Sequence, residues 1–206
     1  MATSEANAVL RVSILSLSRG ERVLFRDLSF DLAPGQAIAL TGANGAGKTS
    51  LLRAIAGFIR PDAGDIALDG RPPAEARDGL HFLGHQDALK GQRPARDELD
   101  FQARWLGADA SGTARAIEAL GLAPLLDLET RKLSAGQRRR LALARLIAAP
   151  RPLWLMDEPF APLDARWREA LGRLMAEHLA TGGAILAAVH DPLPIPADSL
   201  DLGGLS

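Results

Sequence analysis

Residues 42–49 read Gly-Ala-Asn-Gly-Ala-Gly-Lys-Thr, set between the short apolar run "AIAL" (37–40) and "SLLRAIAGFI", where Leu51, Leu52, Ile55 and Phe58 recur at helical spacing. A G-x-x-x-x-G-K-T loop with a strand before it and a helix after it leaves few folds open. The glycines let backbone N–H groups turn toward phosphate oxygens, and the helix N-terminus adds the positive end of its dipole. Lys48 would reach the β- and γ-phosphates, and Thr49 would offer a hydroxyl to Mg²⁺. Gly42, Ala43, Asn44, Gly45, Ala46, Gly47, Lys48, Thr49 and Ser50 are therefore expected to bind a nucleoside triphosphate.

The surrounding pattern agrees with such a loop. Residues 9–15 and 23–32 alternate partly and end at the turn "APGQ", which predicts antiparallel strands. Further strands are expected within "PDAGDIALDG" and at "LHFLG" (80–84), "PLWLMD" (152–157) and "GAILAAVH" (183–190), with helices at 138–149 and 165–180. Apolar strands alternating with helices imply a mainly parallel sheet. Between 88 and 130 the character shifts to amphipathic helices, "RDELDFQARWL" and "GTARAIEALGL", punctuated by Pro and Gly. One domain over 1–206 is expected, with a nucleotide-binding core of 1–87 and 139–206 and an inserted helical part of 88–138.

Two carboxylates end an apolar strand at Asp157-Glu158, and ligands of open α/β sheets sit beyond the carboxyl ends of strands. Asp157 suits a role in holding Mg²⁺, and Glu158 suits a general base for an attacking water. His190 ends another apolar strand at the same expected edge, where it could hold the water and Glu158. Gln86, just after "LHFLG", could approach the metal and the water; Thr49, Asp157 and Gln86 are thus the metal-site candidates, and Glu158, His190 and Gln86 the catalytic ones.

"LSAGQRRR" (133–140) admits two readings. Ser134 and Gln137 have the S-x-x-Q spacing of a capping box before a helix. A helix N-terminus with a small Ser-Ala-Gly surface is also an anion site that Gly136 would let a ligand approach closely.

The order and spacing of the loop 42–49, Gln86, "LSAGQ", "LWLMDEP", "APLD" (161–164) and His190 resemble those of ATP-binding cassette ATPases over essentially the whole chain. That resemblance implies a P-loop NTPase core of the RecA-like α/β class, an N-terminal antiparallel β subdomain and an inserted α-helical subdomain. It implies ATP and Mg²⁺ as ligands, and a head-to-tail homodimer in which Ser134, Ala135, Gly136 and Gln137 contact the ATP held by the other protomer. Asp164, in the position of the family's D-loop, would link the two sites. Three departures stand out: Ala135 replaces a glycine, Ala161-Pro162 replaces Ser-Ala, and the chain has no tyrosine to stack on a base, leaving Arg19 as a stacking candidate.

Within that family, "FLGHQDALKGQRPARDEL" together with the short C-terminal end resembles the ATP-binding subunits of bacterial cytochrome c biogenesis haem-export systems. This implies a polytopic membrane subunit as partner and a peripheral position on the cytoplasmic face of the bacterial inner membrane. The ATPase of another exporter, and a soluble non-transport ATPase such as an iron-sulfur assembly factor, are the alternatives. A nucleotide sensor without hydrolysis is disfavoured by Glu158. His81, His85 and His178 are expected to be structural or solvated rather than haem ligands.

Composition narrows the classes further. With 206 residues, nearly half hydrophobic, the chain can bury a full core. A net charge of -1 gives no basic field for nucleic acid, and no cysteine means no disulfide, thiolate metal site or cysteine nucleophile. "MATSEANAVLRVS" lacks the pattern of a signal peptide, and no stretch approaches the roughly 18 apolar residues of a membrane helix.

Overall fold

The computed structural model describes residues 8–203. They form two compact units: residues up to 84 with 151–159 and 172 onward, and residues 85–150 with 160–171.

The first unit holds two sheets. β1 (Leu10–Arg19) pairs antiparallel with β2 (Arg22–Leu32) on one side and β4 (Ala63–Leu68) on the other. The second sheet is parallel and ordered β5 (Leu80–Leu83), β6 (Leu153–Asp157), β7 (Ala184–Ala188), β3 (Ala37–Thr41), β8 (Asp198–Asp201). β3, β6 and β7 are almost wholly buried, which is why they read as unbroken apolar runs. α1 (Lys48–Ile55) packs on β6 and β7, and one core joins both sheets and this helix through Leu15, Phe25, Leu40, Leu51, Leu155 and Leu186.

Two local expectations change here. β8 escaped the sequence reading because "DSLD" is a polar edge strand with no alternation to find. Phe58, expected on the apolar stripe of α1, lies beyond the helix and is 61% exposed. Gly57 at φ +73 ends the helix, and the Phe58 N–H donates to the Arg53 carbonyl, turning the chain outward.

The second unit contains α2 (Ala95–Leu106), α3 (Ala110–Ala119) and α4 (Ala135–Ala148), each packed on the other two. This unit includes the body of α4 and residues 160–171, which the sequence pattern grouped with the core. The close approach of α3 to α4 explains the grouping: a Cβ on Gly112 would run into the Ala148 carbonyl oxygen. The division between the units falls within α5 (Ala165–Ala180), at Leu171/Gly172.

Candidate functional site

In the first unit the phosphate loop leaves the end of β3, the strand flanked by β7 and β8. Gly42, Gly45 and Gly47 take φ values of +120, +83 and +102, a region that costs other residues strain. Gly47 is also closely packed: a Cβ there would lie 3.1 Å from the Leu24 Cβ and 3.2 Å from the Phe25 Cδ1. Gly47 caps α1 with no side-chain hydrogen bond, so the N–H groups of the first turn keep their capacity for an anion. Ala43, Asn44 and Gly45 are exposed at the crest of the loop, with Ala46 and Ser50 half-buried.

Lys48 is 8% exposed and folds back over the loop, donating to the Gly42 carbonyl at 2.6 Å and toward that of Ala43 at 3.4 Å. These carbonyls hold the ammonium at the loop, where a phosphate would meet it. One residue on, Thr49 Oγ1 donates to Asp157 Oδ2 at 3.0 Å. Asp157 is buried at the end of β6. A hydroxyl and a carboxylate oxygen are hard donors of the kind Mg²⁺ prefers, with phosphate and water to complete its shell. Among the described residues no group of three or more His, Cys, Asp or Glu could hold a metal ion, and Thr49 and Asp157 supply two oxygen donors at one place.

Glu158 follows with a strained backbone. Its φ is +48, uncommon for a residue with a side chain, and its N–H is tied to the Ala188 carbonyl of β7 at 3.0 Å. Its carboxylate Oε1 lies 3.3 Å from His190 Nε2. β6 and β7 are neighbours, so the residues just past their ends converge at one edge of the sheet. A carboxylate and an imidazole thus meet at the end of the sheet that carries the phosphate loop, a pairing that could take up a proton from water.

The second unit carries the remaining candidates. At the start of α4 both halves of a capping box are made: Ser134 Oγ accepts from the Gln137 N–H at 3.2 Å, and Gln137 Oε1 accepts from the Ser134 N–H at 2.8 Å. The capping and anion readings are compatible. The box uses acceptor oxygens only, leaving the Ser134 hydroxyl proton and the Gln137 Nε2 hydrogens to donate outward. Ser134 and Ala135 are exposed, whereas Gly136 admits a protein neighbour: a Cβ there would stand 2.8 Å from the Pro162 carbonyl oxygen. Asp164 caps α5, accepting from the Trp167 N–H at 3.0 Å. Gln86 is exposed on the loop before α2.

Some neighbours were not legible in advance. Arg22 on β2 brings Nη1 to 3.6 Å from where a Gly45 Cβ would be, and Asp201 on β8 brings Oδ1 to 3.0 Å from that of Gly42. Neither stands in a motif. In the second unit Arg139, buried on α4, pairs with Asp87 at 3.0 Å. A cavity of about 480 Å³ in the first unit, with Val9, Arg11, Asp69, Arg71 and Pro152 on its walls, contains none of the expected residues.

His81 is buried in β5, and His178 is stacked on Trp154 with ring centroids 3.9 Å apart. Burial lowers the His178 pKa from its ordinary value, against smaller opposing effects of backbone hydrogen bonds with Ala184 and Pro152. His85 is exposed.

Comparison with known proteins agrees with this geometry. A family model described as ABC transporter matches residues 25–161. The chain is 50% identical over 186 residues to the cytochrome c biogenesis ATP-binding export protein CcmA of Rhodopseudomonas palustris strain BisB5, covering 90% of this chain and 93% of that protein. It is 48% identical over 188 residues to the protein of the same name from Hyphomonas neptunium, covering 91% and 93%. Among solved structures, a putative ABC transporter ATP-binding protein of Pyrococcus furiosus superposes with a TM-score of 0.84 at 22% identity, covering 96% of this chain and 98% of its own. An ATP-binding subunit of an ABC transporter superposes with a TM-score of 0.82 at 26% identity, covering 88% and 79%. With a P-loop NTPase fold, a phosphate loop and an acid pair in place, the chain belongs to the ABC transporter family as an ATP-binding, ATP-hydrolysing subunit.

Proposed function

We propose that this chain powers a transporter of cytochrome c maturation, by haem export or by release of a haem-loaded chaperone, as an ATP-dependent homodimer beneath a polytopic membrane subunit. The observation that carries the assignment is the 50% identity to a CcmA export protein over 90% of the chain. Among the described residues no helix is long and apolar enough to cross a membrane, so the transport path would belong to another subunit. The site of action would be the cytoplasmic face of the bacterial inner membrane. Haem itself need not touch this chain.

In this reading the N–H groups of 42–50 and the Lys48 ammonium hold the triphosphate. Thr49 and Asp157 would hold Mg²⁺, which supplies charge neutralisation for phosphoryl transfer. Glu158 accepts a proton from the attacking water while His190, 3.3 Å away, holds the carboxylate in place. Ser134, Ala135, Gly136 and Gln137 close on the other protomer's ATP, with Asp164 nearby in the chain's own turn. ATP bound by both protomers stabilises the closed dimer, and hydrolysis removes that stabilisation, so closing and opening become the work output.

The test is haem staining of covalently attached cytochrome c in membranes of a source strain lacking this chain, complemented with wild type or Glu158→Gln. Loss of the cytochromes with rescue by wild type alone supports the assignment. Persistence of the cytochromes would move the chain to another exporter, leaving its ATPase chemistry untouched.

A further inference from the structure

We infer that Arg140 and Trp167 are positioning residues that lock the turn 133–137 and the turn 161–164 of one chain into a single piece, so that both engage a second protomer's nucleotide together. The inference rests on the homodimer proposed above, and it concerns contacts wholly within the second unit.

The Arg140 guanidinium carbon lies 4.1 Å from the centroid of the Trp167 ring. Its Nη1 donates to the Leu120 carbonyl at 2.8 Å and the Gly121 carbonyl at 3.2 Å, which fixes the plane of the fork against the ring. Arg166 lies 5.1 Å from the same ring centroid, so two guanidinium groups contact one indole. Gly121, at φ +58, makes the space: a Cβ there would stand 2.9 Å from Trp167 Cη2. The tryptophan in turn donates its backbone N–H to Asp164 Oδ1, and Arg168 donates its Nε–H to the Leu163 carbonyl at 3.0 Å. The ring that Arg140 holds therefore belongs to the residue that orients Asp164.

A second contact fixes the other end of the seam. The carbonyl of Pro162 sits where a side chain on Gly136 would be, 2.8 Å from the position of its Cβ. Residues 161–163, Ala-Pro-Leu, carry no side chain that can hydrogen-bond, and Pro162 has no N–H, so the turn closes on itself through backbone alone, the Leu163 N–H donating to the Phe160 carbonyl at 3.0 Å. Its attachment to α4 runs through Gly136 below and the Arg140–Trp167 stack above. Both anchors lie on the first turns of α4, the helix that begins with the capping box of Ser134 and Gln137. Neither Arg140 nor Trp167 would touch nucleotide; they would act through Asp164 and the helix start.

The experiment uses the full chain in a Glu158→Gln background, with Mg-ATP titrated while dimer formation is followed by light scattering. Nucleotide affinity of the monomer is measured at low protein concentration with a fluorescent ATP analogue. Trp167→Ala, Gly121→Ala and the conservative Trp167→Phe are compared, each also made with Glu158 intact for kcat and KM. The expected result is an about 10- to 100-fold loss in kcat and in ATP-driven dimerisation for Trp167→Ala and Gly121→Ala, because small misplacements of reacting groups cost that much. Monomer affinity and circular dichroism stay at the wild-type values, and Trp167→Phe restores most of the loss. Unchanged dimerisation and kcat in a folded Trp167→Ala overturn the inference, as does a loss of monomer affinity in step with the rest, which would mark a merely structural ring. If Glu158→Gln alone forms no dimer with ATP, the homodimer reading fails first and takes the inference with it.

Discussion

Glu158 and His190 meet at 3.3 Å across the ends of two neighbouring strands, and Glu158 is held there at φ +48 by a hydrogen bond from its own N–H to Ala188. A strained backbone beside a phosphate loop is consistent with a carboxylate that must stand in one place. Glu158→Gln should lower ATP turnover by about 10²- to 10⁴-fold, the range of a lost general base, while leaving ATP binding intact. His190→Ala should reduce kcat with a smaller change in KM. Steady-state phosphate release together with equilibrium nucleotide binding checks both.

Gly47 combines φ +102 with a Cβ position only 3.1 Å from Leu24 and 3.2 Å from Phe25. Gly47→Ala should therefore destabilise the first unit by about 1–3 kcal/mol, the usual range for a residue forced into a sparsely populated backbone region. It should also abolish nucleotide binding by displacing the loop. Gly20→Ala shares the positive φ, at +62, but meets no neighbour within 4 Å, so its cost should be strain alone. Urea unfolding and calorimetric ATP titration separate the two.

His178 is stacked on Trp154, and burial lowers its pKa below the ordinary histidine value of about 6.5. The unfolded chain then binds a proton more readily than the folded one as the pH falls below 6.5. This contribution to stability should be complete above that pH, decline as the pH drops toward the lowered folded value, and level off beneath it. His178→Phe should keep the stacking and remove this part of the pH dependence. Urea midpoints measured at pH 7.5 and at about pH 5 decide the matter.

Arg139 and Asp87 form an ion pair at 3.0 Å with side-chain exposures of 2% and 18%. The two truncations should differ. Asp87→Ala removes a carboxylate partner from an arginine deep in the second unit and should cost more than Arg139→Leu, which leaves a carboxylate that water can reach. The neighbouring Arg145 is already pushed down to about 10, chiefly by burial and then by the Arg139 charge, so removing Asp87 adds to an existing strain on this helix. Denaturant midpoints of the two variants supply the comparison.

Most of the first unit could be read from its pattern because its signals are local. A buried parallel strand shows as a solid apolar run, and a phosphate loop is contiguous, so "AIAL" and 42–49 could be assigned without the fold. β8 was invisible for the opposite reason: "DSLD" becomes a strand only by pairing with β3. Phe58 followed the helical spacing, but Gly57 ended the helix before it. The seam between Gly136 and Pro162 and the stack of Arg140 on Trp167 had no signal at all, since each joins residues far apart in the chain through shape rather than through residue type.

By itself the sequence determined the phosphate loop, the acid pair at the end of β6, the capping box before α4 and the alternation of strands and helices. Each follows from neighbours in the chain: glycines that permit positive φ, oxygens at capping distance, and side chains that repeat with the period of their element. Only the tertiary structure decided which of these meet. Thr49 reaches Asp157 across 108 residues, and His190 reaches Glu158, because β6 pairs with β7 and β7 with β3. Strand order sets those meetings, and it follows from packing the whole set of apolar faces at once.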